Sequence, residues 1–293
     1  MHTAFRLGDG VEASACYRWA VVGVPRAVVV LAHGMGEHAL RYERLAAALA
    51  GQQIETYALD HRGHGRTATD AGQFGVLGPR GWTGVVDDYA RLVAHARSQH
   101  GGVPIVALGH SMGSFVVQQF LLDHCGEVSG AALSGSAALD QVKVIVDPTV
   151  PLDLALLNAP FMPARTDFDW LSRDEAEVDA YVGDPLCGFG LDAEALVSWL
   201  ATSDRLADPA ALAAIPTGFP LALIAGGDDP VNARYAWLDL LAERYSAAGL
   251  SVTKMYYESA RHEVFNETNR DEITSDLLTW LALVVAQASA STP

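Results

Sequence analysis

Ser111 sits in Gly109-His110-Ser111-Met112-Gly113, a G-x-S-x-G pattern. An apolar, strand-like run over Pro104–Leu108 precedes it and a helical run over Met112–His124 follows. Glycines two residues before and after the serine let a strand turn sharply into a helix without a Cβ clash. The turn lifts the serine Oγ to the end of a sheet and aims the helix N-terminus at it. A serine so placed is a candidate nucleophile. It needs three further parts: a base, an acid to orient that base, and donors for an oxyanion.

In an open α/β sheet those parts follow in the order Ser, acid, His, each on a loop after a later strand. The strand-like Phe219–Ala225 leads into Gly226-Gly227-Asp228-Asp229-Pro230, which offers two adjacent acids. Asp229, spaced G-x-x-D before a proline, is expected to turn inward as the chain leaves the strand, while Asp228 points away or caps the turn. His262 is the only histidine after His124 and follows the strand-like Val252–Tyr257. It is the expected base. The oxyanion donors are the backbone N–H of Met112 and, from the loop His33-Gly34-Met35-Gly36-Glu37-His38, that of Met35. Gly34 and Gly36 permit the bend. His33 and Glu37 are expected to brace this loop, and His110 to pack beside the nucleophile.

The elements that must position these groups alternate between two periods. Ala27–Ala32 and Pro104–Leu108 read as buried strands, and Ile54–Leu59, Gly130–Leu133, Phe219–Ala225 and Val252–Tyr257 read as strands. Arg41–Gly51, Trp82–His100, Ala233–Ala247 and Asp271–Gln287 read as helices. Strand–helix alternation of this kind predicts an α/β fold with a mostly parallel sheet covered on both faces. The rhythm breaks between residues 136 and 215. There prolines (Pro148, Pro151, Pro160, Pro163) punctuate Leu152, Leu154, Leu156, Leu157, Phe161 and Met162. The reading is a core of residues 1–135 and 216–293 with 136–215 inserted over one end of the sheet as a lid.

The chain has 293 residues, half of them hydrophobic, which suits one large α/β domain with an insertion. Its 35 acidic and 19 basic side chains give a net charge of −16. Such a chain repels phosphate backbones, so nucleic acid is excluded as the default partner. Lys143 and Lys254 are the only lysines, which leaves no polybasic patch for a stable membrane anchor. Cys16, Cys125 and Cys187 form no C-x-x-C pattern and read as reduced thiols. His61 and His64 make an H-x-x-H in a glycine-rich turn with no third ligand nearby, so no metal is expected. The first residues lack a signal-peptide pattern and the apolar runs are strand-length, so the expectation is a soluble, cytoplasmic protein. Its oligomeric state is not legible.

Taken together, the motifs resemble one family. His33-Gly34-Met35-Gly36-Glu37-His38 with Arg41-Tyr42, then Asp60-His61-Arg62-Gly63-His64-Gly65, then the Ser111 pentapeptide resemble the monoacylglycerol lipase and lysophospholipase branch of the α/β-hydrolases. Gly226-x-x-Asp229 and Arg261-His262-Glu263-Val264-Phe265-Asn266-Glu267 continue the likeness across nearly the whole chain except the lid. The resemblance implies an α/β-hydrolase fold, a Ser111–Asp229–His262 triad, an oxyanion hole of the Met35 and Met112 amides, and no cofactor. It points to a serine carboxylic-ester hydrolase acting on monoacylglycerol or another small amphipathic monoester.

Leu152, Leu156, Phe161 and Met162 are the lid residues expected to hold the apolar part of that substrate, with Arg165 beside them. A monoalkyl phthalate hydrolase is the main alternative, with Arg165 or Arg173 holding a free carboxylate. An aminopeptidase would use lid acids such as Asp147 and Asp153 to hold an ammonium. A non-catalytic ligand receptor would keep the fold without the chemistry. A dehalogenase would carry Asp in place of Ser111 and is excluded.

Overall fold

A computed structural model describes residues 1–290. The chain opens with two strands, β1 (Thr3–Leu7) and β2 (Ser14–Trp19), paired antiparallel. It then alternates through β3 (Ala27–Ala32), α1 (Glu43–Gly51), β4 (Ile54–Leu59), α2 (Gly81–Gln99), β5 (Ile105–His110), α3 (Met112–His124) and β6 (Gly130–Ser134). Four short helices follow: α4 (Leu139–Ile145), α5 (Glu175–Gly183), α6 (Ala193–Leu200) and α7 (Ser203–Ala207). After a single turn, α8 (Pro209–Leu212), the alternation resumes with β7 (Pro220–Gly226), α9 (Ala236–Ala247), β8 (Ser251–Tyr257) and α10 (Arg270–Ala290).

The eight strands form one sheet in the order β1-β2-β4-β3-β5-β6-β7-β8, parallel from β4 through to β8. β3, β5 and β6 are buried along their whole length, as their continuous Val, Leu and Ala runs require in a sheet covered on both faces. The strand order reverses between β3 and β5. A crevice opens at such a switch point, outside the carboxyl ends of the two strands. The loop starting at His33 and the turn at Ser111 both leave the sheet there.

The sequence reading omits β1 and β2. β1 is an exposed edge strand, and β2 carries Arg18, whose Nε donates 2.6 Å to the buried carboxylate of Glu55 on β4. No run within β2 announces that partner, because it comes from a strand about forty residues later. Conversely, α10 is long and apolar enough by length and composition to cross a membrane, although the apolar runs read as strand-length. It lays Ile273, Leu277, Trp280, Leu281 and Val284 against the sheet. In the segment between β6 and β7, Trp199 of α6 packs its ring 5.8 Å from Trp82 of α2 and 5.3 Å from Phe115 of α3.

Candidate active site

Ser111 joins β5 to α3 with φ 52° and ψ −122°, a strained conformation for a residue with a side chain. The glycines around it are steric necessities. A Cβ at Gly109 would collide with the Gly113 carbonyl, and one at Gly113 with the carbonyls of Ala32 and His33. The Ser111 N–H donates 2.8 Å to the Ser134 carbonyl on β6, and the Ser111 carbonyl accepts from Ser114 Oγ at 2.6 Å. The turn is thus pinned from both sides. Met112 is the first residue of α3, so its N–H has no acceptor within that helix and is available to a ligand.

His262 and Asp229 leave the sheet after β8 and β7. Nδ1 of His262 stands 2.9 Å from Oδ1 of Asp229, with both side chains almost fully buried. The same oxygen accepts the Val231 N–H at 2.8 Å, which fixes the carboxylate. Burial opposes a charge on His262, but the Asp229 carboxylate outweighs it, helped by Glu263 and Glu37, so the imidazole pKa is raised. Asp228, one residue earlier, has a side chain 42% exposed and faces Arg234 at 3.8 Å. Of the two acids, Asp229 is the one brought to the histidine.

The loop after β3 is braced from below. Glu37 Oε1 accepts the Gly34 N–H at 2.5 Å and the Tyr42 hydroxyl at 2.7 Å, and its other oxygen accepts from Arg41 at 2.9 Å. Arg41 also pairs with Glu263, next to His262, and lies 4.8 Å over the Tyr181 ring. One guanidinium therefore joins the Met35 loop, the His262 loop and the inserted segment. His33 Nδ1 meets the Gly34 carbonyl at 2.7 Å, and His61 packs its ring 4.3 Å from His33. His61 and His64 are held neutral by burial, their pKa values lowered to about 3 and about 4.

Ser111, His262, Gly34 and Met35 open into a cavity of about 400 Å³, within the usual range for a small-molecule site. Its walls carry Leu152 and Leu156, the two leucines expected to hold substrate, together with Leu154 and Leu157. Three expected contacts fail. Phe161 turns away and lies 4.4 Å under the Arg261 guanidinium, which is anchored by the carbonyls of Asp169 and Ser172. Met162 is 68% exposed, outside the cavity. Arg165 also lies outside, its guanidinium 2.5 Å from Asp179. Arg173 is likewise committed elsewhere, at 2.8 Å from Glu267.

Sequence reasoning missed several wall residues: Trp170, Tyr181, Trp199, Trp237, and the acids Glu37 and Glu263. Trp170 packs 4.8 Å from the His262 ring, and the Glu263 N–H donates 2.7 Å to the Leu171 carbonyl, so the insertion is hydrogen-bonded to the base-bearing loop. For Trp170, Tyr181 and Trp199 the available signal was large aromatic residues within the polar stretch 170–206 of the insert. Ser134 and Ser136 touch His110 and Ser114 respectively and do not reach the cavity.

A fold and a site of this kind have counterparts. The sequence profile of the family described as serine aminopeptidase, S33, matches residues 23–269. The chain belongs to this family. It is 34% identical over 267 residues to the monoacylglycerol lipase of Mycolicibacterium smegmatis, covering 90% of each chain. It is 29% identical to the monoglyceride lipase of Homo sapiens, covering 94% of this chain and 88% of the relative.

Among solved structures, a carboxyl esterase from Bacillus coagulans in complex with glycerol superposes with a TM-score of 0.85 at 23% identity, covering 97% and 98% of the two chains. The Saccharomyces cerevisiae monoglyceride lipase bound to a substrate analogue superposes with a TM-score of 0.75 at 21% identity, covering 97% and 95%. These two likenesses establish the α/β-hydrolase fold. With relatives of this kind over nearly its whole length, the chain is an ester hydrolase of the α/β-hydrolase superfamily.

Proposed function

We propose that the protein is a serine carboxylic-ester hydrolase working through an acyl-enzyme, and that its substrates are uncharged amphipathic monoesters of the monoacylglycerol kind. The observation that carries the substrate class is the composition of the cavity. Around Ser111 and His262 its walls are mainly apolar, and its ionisable residues include Glu37, Asp147, Asp153 and Glu263, with no Lys or Arg lining it among the described residues. Glu37 and Glu263 share the Arg41 guanidinium, so Asp147 and Asp153 are the charges that would repel a substrate bearing a free carboxylate. That disfavours the monoalkyl phthalate reading. Exposed Ile145, Val150 and Leu156 at the same cavity suit entry of an acyl chain.

In this mechanism His262 takes the proton from Ser111 Oγ as it attacks the ester carbonyl. Asp229 holds the imidazole in the tautomer that leaves Nε2 free, and stabilises the imidazolium. The Met35 and Met112 amides receive the oxyanion, each well-placed donor contributing about 3 kcal/mol to the transition state. His262 then protonates the leaving alcohol and later activates the water that releases the acid. Residues 136–215 serve as the lid over a core of 1–135 and 216–293. Three free thiols fit a reducing compartment, and the cytoplasm is the proposed location.

Two experiments test this reading. A fluorophosphonate should label the protein at Ser111, and folded Ser111→Ala should take no label; labelling that survives the substitution would move the nucleophile elsewhere. A kcat/KM series should then rank monoacylglycerols above a monoalkyl phthalate, its dialkyl ester and an amino-acid arylamide. Preference for the phthalate monoester would overturn the charge argument. Preference for the arylamide would turn attention to Asp147 and Asp153 as an ammonium site.

A further inference from the structure

Three side chains from two parts of the chain converge beside the loop after β3. His38 ends the loop after β3, while Asp184 and Cys187 lie in the turn after α5. His38 Nε2 is 2.9 Å from Asp184 Oδ2, and one ligand atom from each of the three residues lies within 4.8 Å of the others. The turn is built to hold this arrangement. The other Asp184 oxygen accepts the Leu186 N–H at 2.9 Å, the Cys187 N–H donates 3.0 Å to the Asp184 carbonyl, and the Gly188 N–H donates 3.0 Å to the Gly36 carbonyl.

We propose that His38, Asp184 and Cys187 form a transition-metal site of the zinc class that staples the lid to the loop carrying Met35. One imidazole nitrogen, one carboxylate oxygen and one sulfur are a borderline-soft donor set, suited to Zn²⁺ or Co²⁺ and poor for Mg²⁺ or Ca²⁺. Three protein ligands leave a fourth position for water. Local charge favours a cation: the carboxylates of Asp184, Glu37 and Glu263 face Cys187 against the single guanidinium of Arg41, which Glu37 and Glu263 already engage. The site is reachable, with the Asp184 side chain 31% exposed. A cysteine thiol carries its proton near neutral pH, and the metal takes that proton's place on the Cys187 sulfur. Forming the metal–sulfur bond therefore releases one proton to solvent. The site is separate from the ester chemistry and does not rest on it.

Cobalt is the probe, because a thiolate–Co²⁺ bond gives a charge-transfer absorption that oxygen and nitrogen ligands do not. Titrating the full-length protein with Co²⁺ should produce this band at one equivalent, and Zn²⁺ should bleach it and raise Tm. Cys187→Ser should abolish the band, while Cys16→Ser and Cys125→Ser retain it. His38→Gln and Asp184→Asn should each weaken binding by about tenfold or more. Absence of the band in the wild type, or its survival in Cys187→Ser, would overturn the site and leave the His38–Asp184 contact as a plain latch. Should Cys187→Ser fail to fold, unchanged Co²⁺ affinity in folded His38→Gln would overturn it equally.

Discussion

Two groups of buried histidines lie at the same end of the sheet and titrate in opposite directions. His262 has its pKa raised, whereas His33, His61 and His64 have theirs lowered. Both groups are removed from water, so burial cannot be what separates them. The difference is the partner. His262 Nδ1 faces the Asp229 carboxylate, while His33 Nδ1–H donates to the Gly34 carbonyl and its Nε2 accepts the His61 N–H. A carboxylate stabilises an imidazolium; a peptide carbonyl and a second imidazole do so far less. One fold thus keeps one histidine charged more readily than in water and three others as neutral struts along the loop after β3.

The largest expected effect comes from erasing that difference. Asp229→Asn should reduce kcat/KM by roughly 10⁴-fold with the fold intact, the size expected when the acid of such a triad is lost. It should also bring the His262 pKa below its wild-type value, which NMR of the imidazole would follow. Full activity in this variant would transfer the acid to Asp228.

The neutral cluster should show itself in acid stability. Unfolded, these rings protonate near pH 6.5; folded, His61 and His64 resist until about 3 and about 4. The stability they confer is complete above pH 6.5 and is lost as pH falls toward those values, by roughly 1.4 kcal/mol per pH unit for each ring. Urea unfolding across pH 4 to 7 should show this slope, and His64→Gln should lower it by about one proton. His262 has the reverse sign: its contribution is present below the unfolded value and fades as pH rises through its folded pKa.

A smaller effect concerns rate. In the proposed mechanism His262 must be neutral to accept the Ser111 proton, so kcat/KM should fall on the acid side through an apparent pKa above the ordinary histidine value of about 6.5. A limb well below 6.5 would mean that the carboxylate does not govern the base. The smallest effect should be that of Asp228→Asn, whose exposed pairing with Arg234 is worth at most about 1 kcal/mol of stability and nothing to the triad.

How legible the molecule is varies with the source of the constraint. β3 and the Met112–His124 helix fall where periodicity puts them, and β3 does so because a strand buried on both faces is apolar throughout. Asp229 and Ser111 were legible because the turns that present them demand Gly and Pro at fixed offsets. The insertion was legible only as an insertion. Leu152 and Leu156 reach the cavity, but Phe161 is drawn to Arg261 and Arg165 to Asp179, partners that local spacing does not reveal. The start of α9 shifted for a local reason: Ala233, Arg234 and Tyr235 adopt positive φ, so the helix begins at Ala236.

The sequence by itself determined the alternation of strands and helices from β3 onward outside residues 136–215, and the glycine-flanked turn at Ser111, because each depends on residues within a few positions of one another. Tertiary structure alone decided which side chains of residues 136–215 face the cavity, that Arg41 joins Glu37, Glu263 and Tyr181, and that His38 meets Asp184 and Cys187. Those contacts join positions as much as 222 residues apart. Their energies depend on desolvation and on the pairing of charges in space, and neither is written in any local pattern.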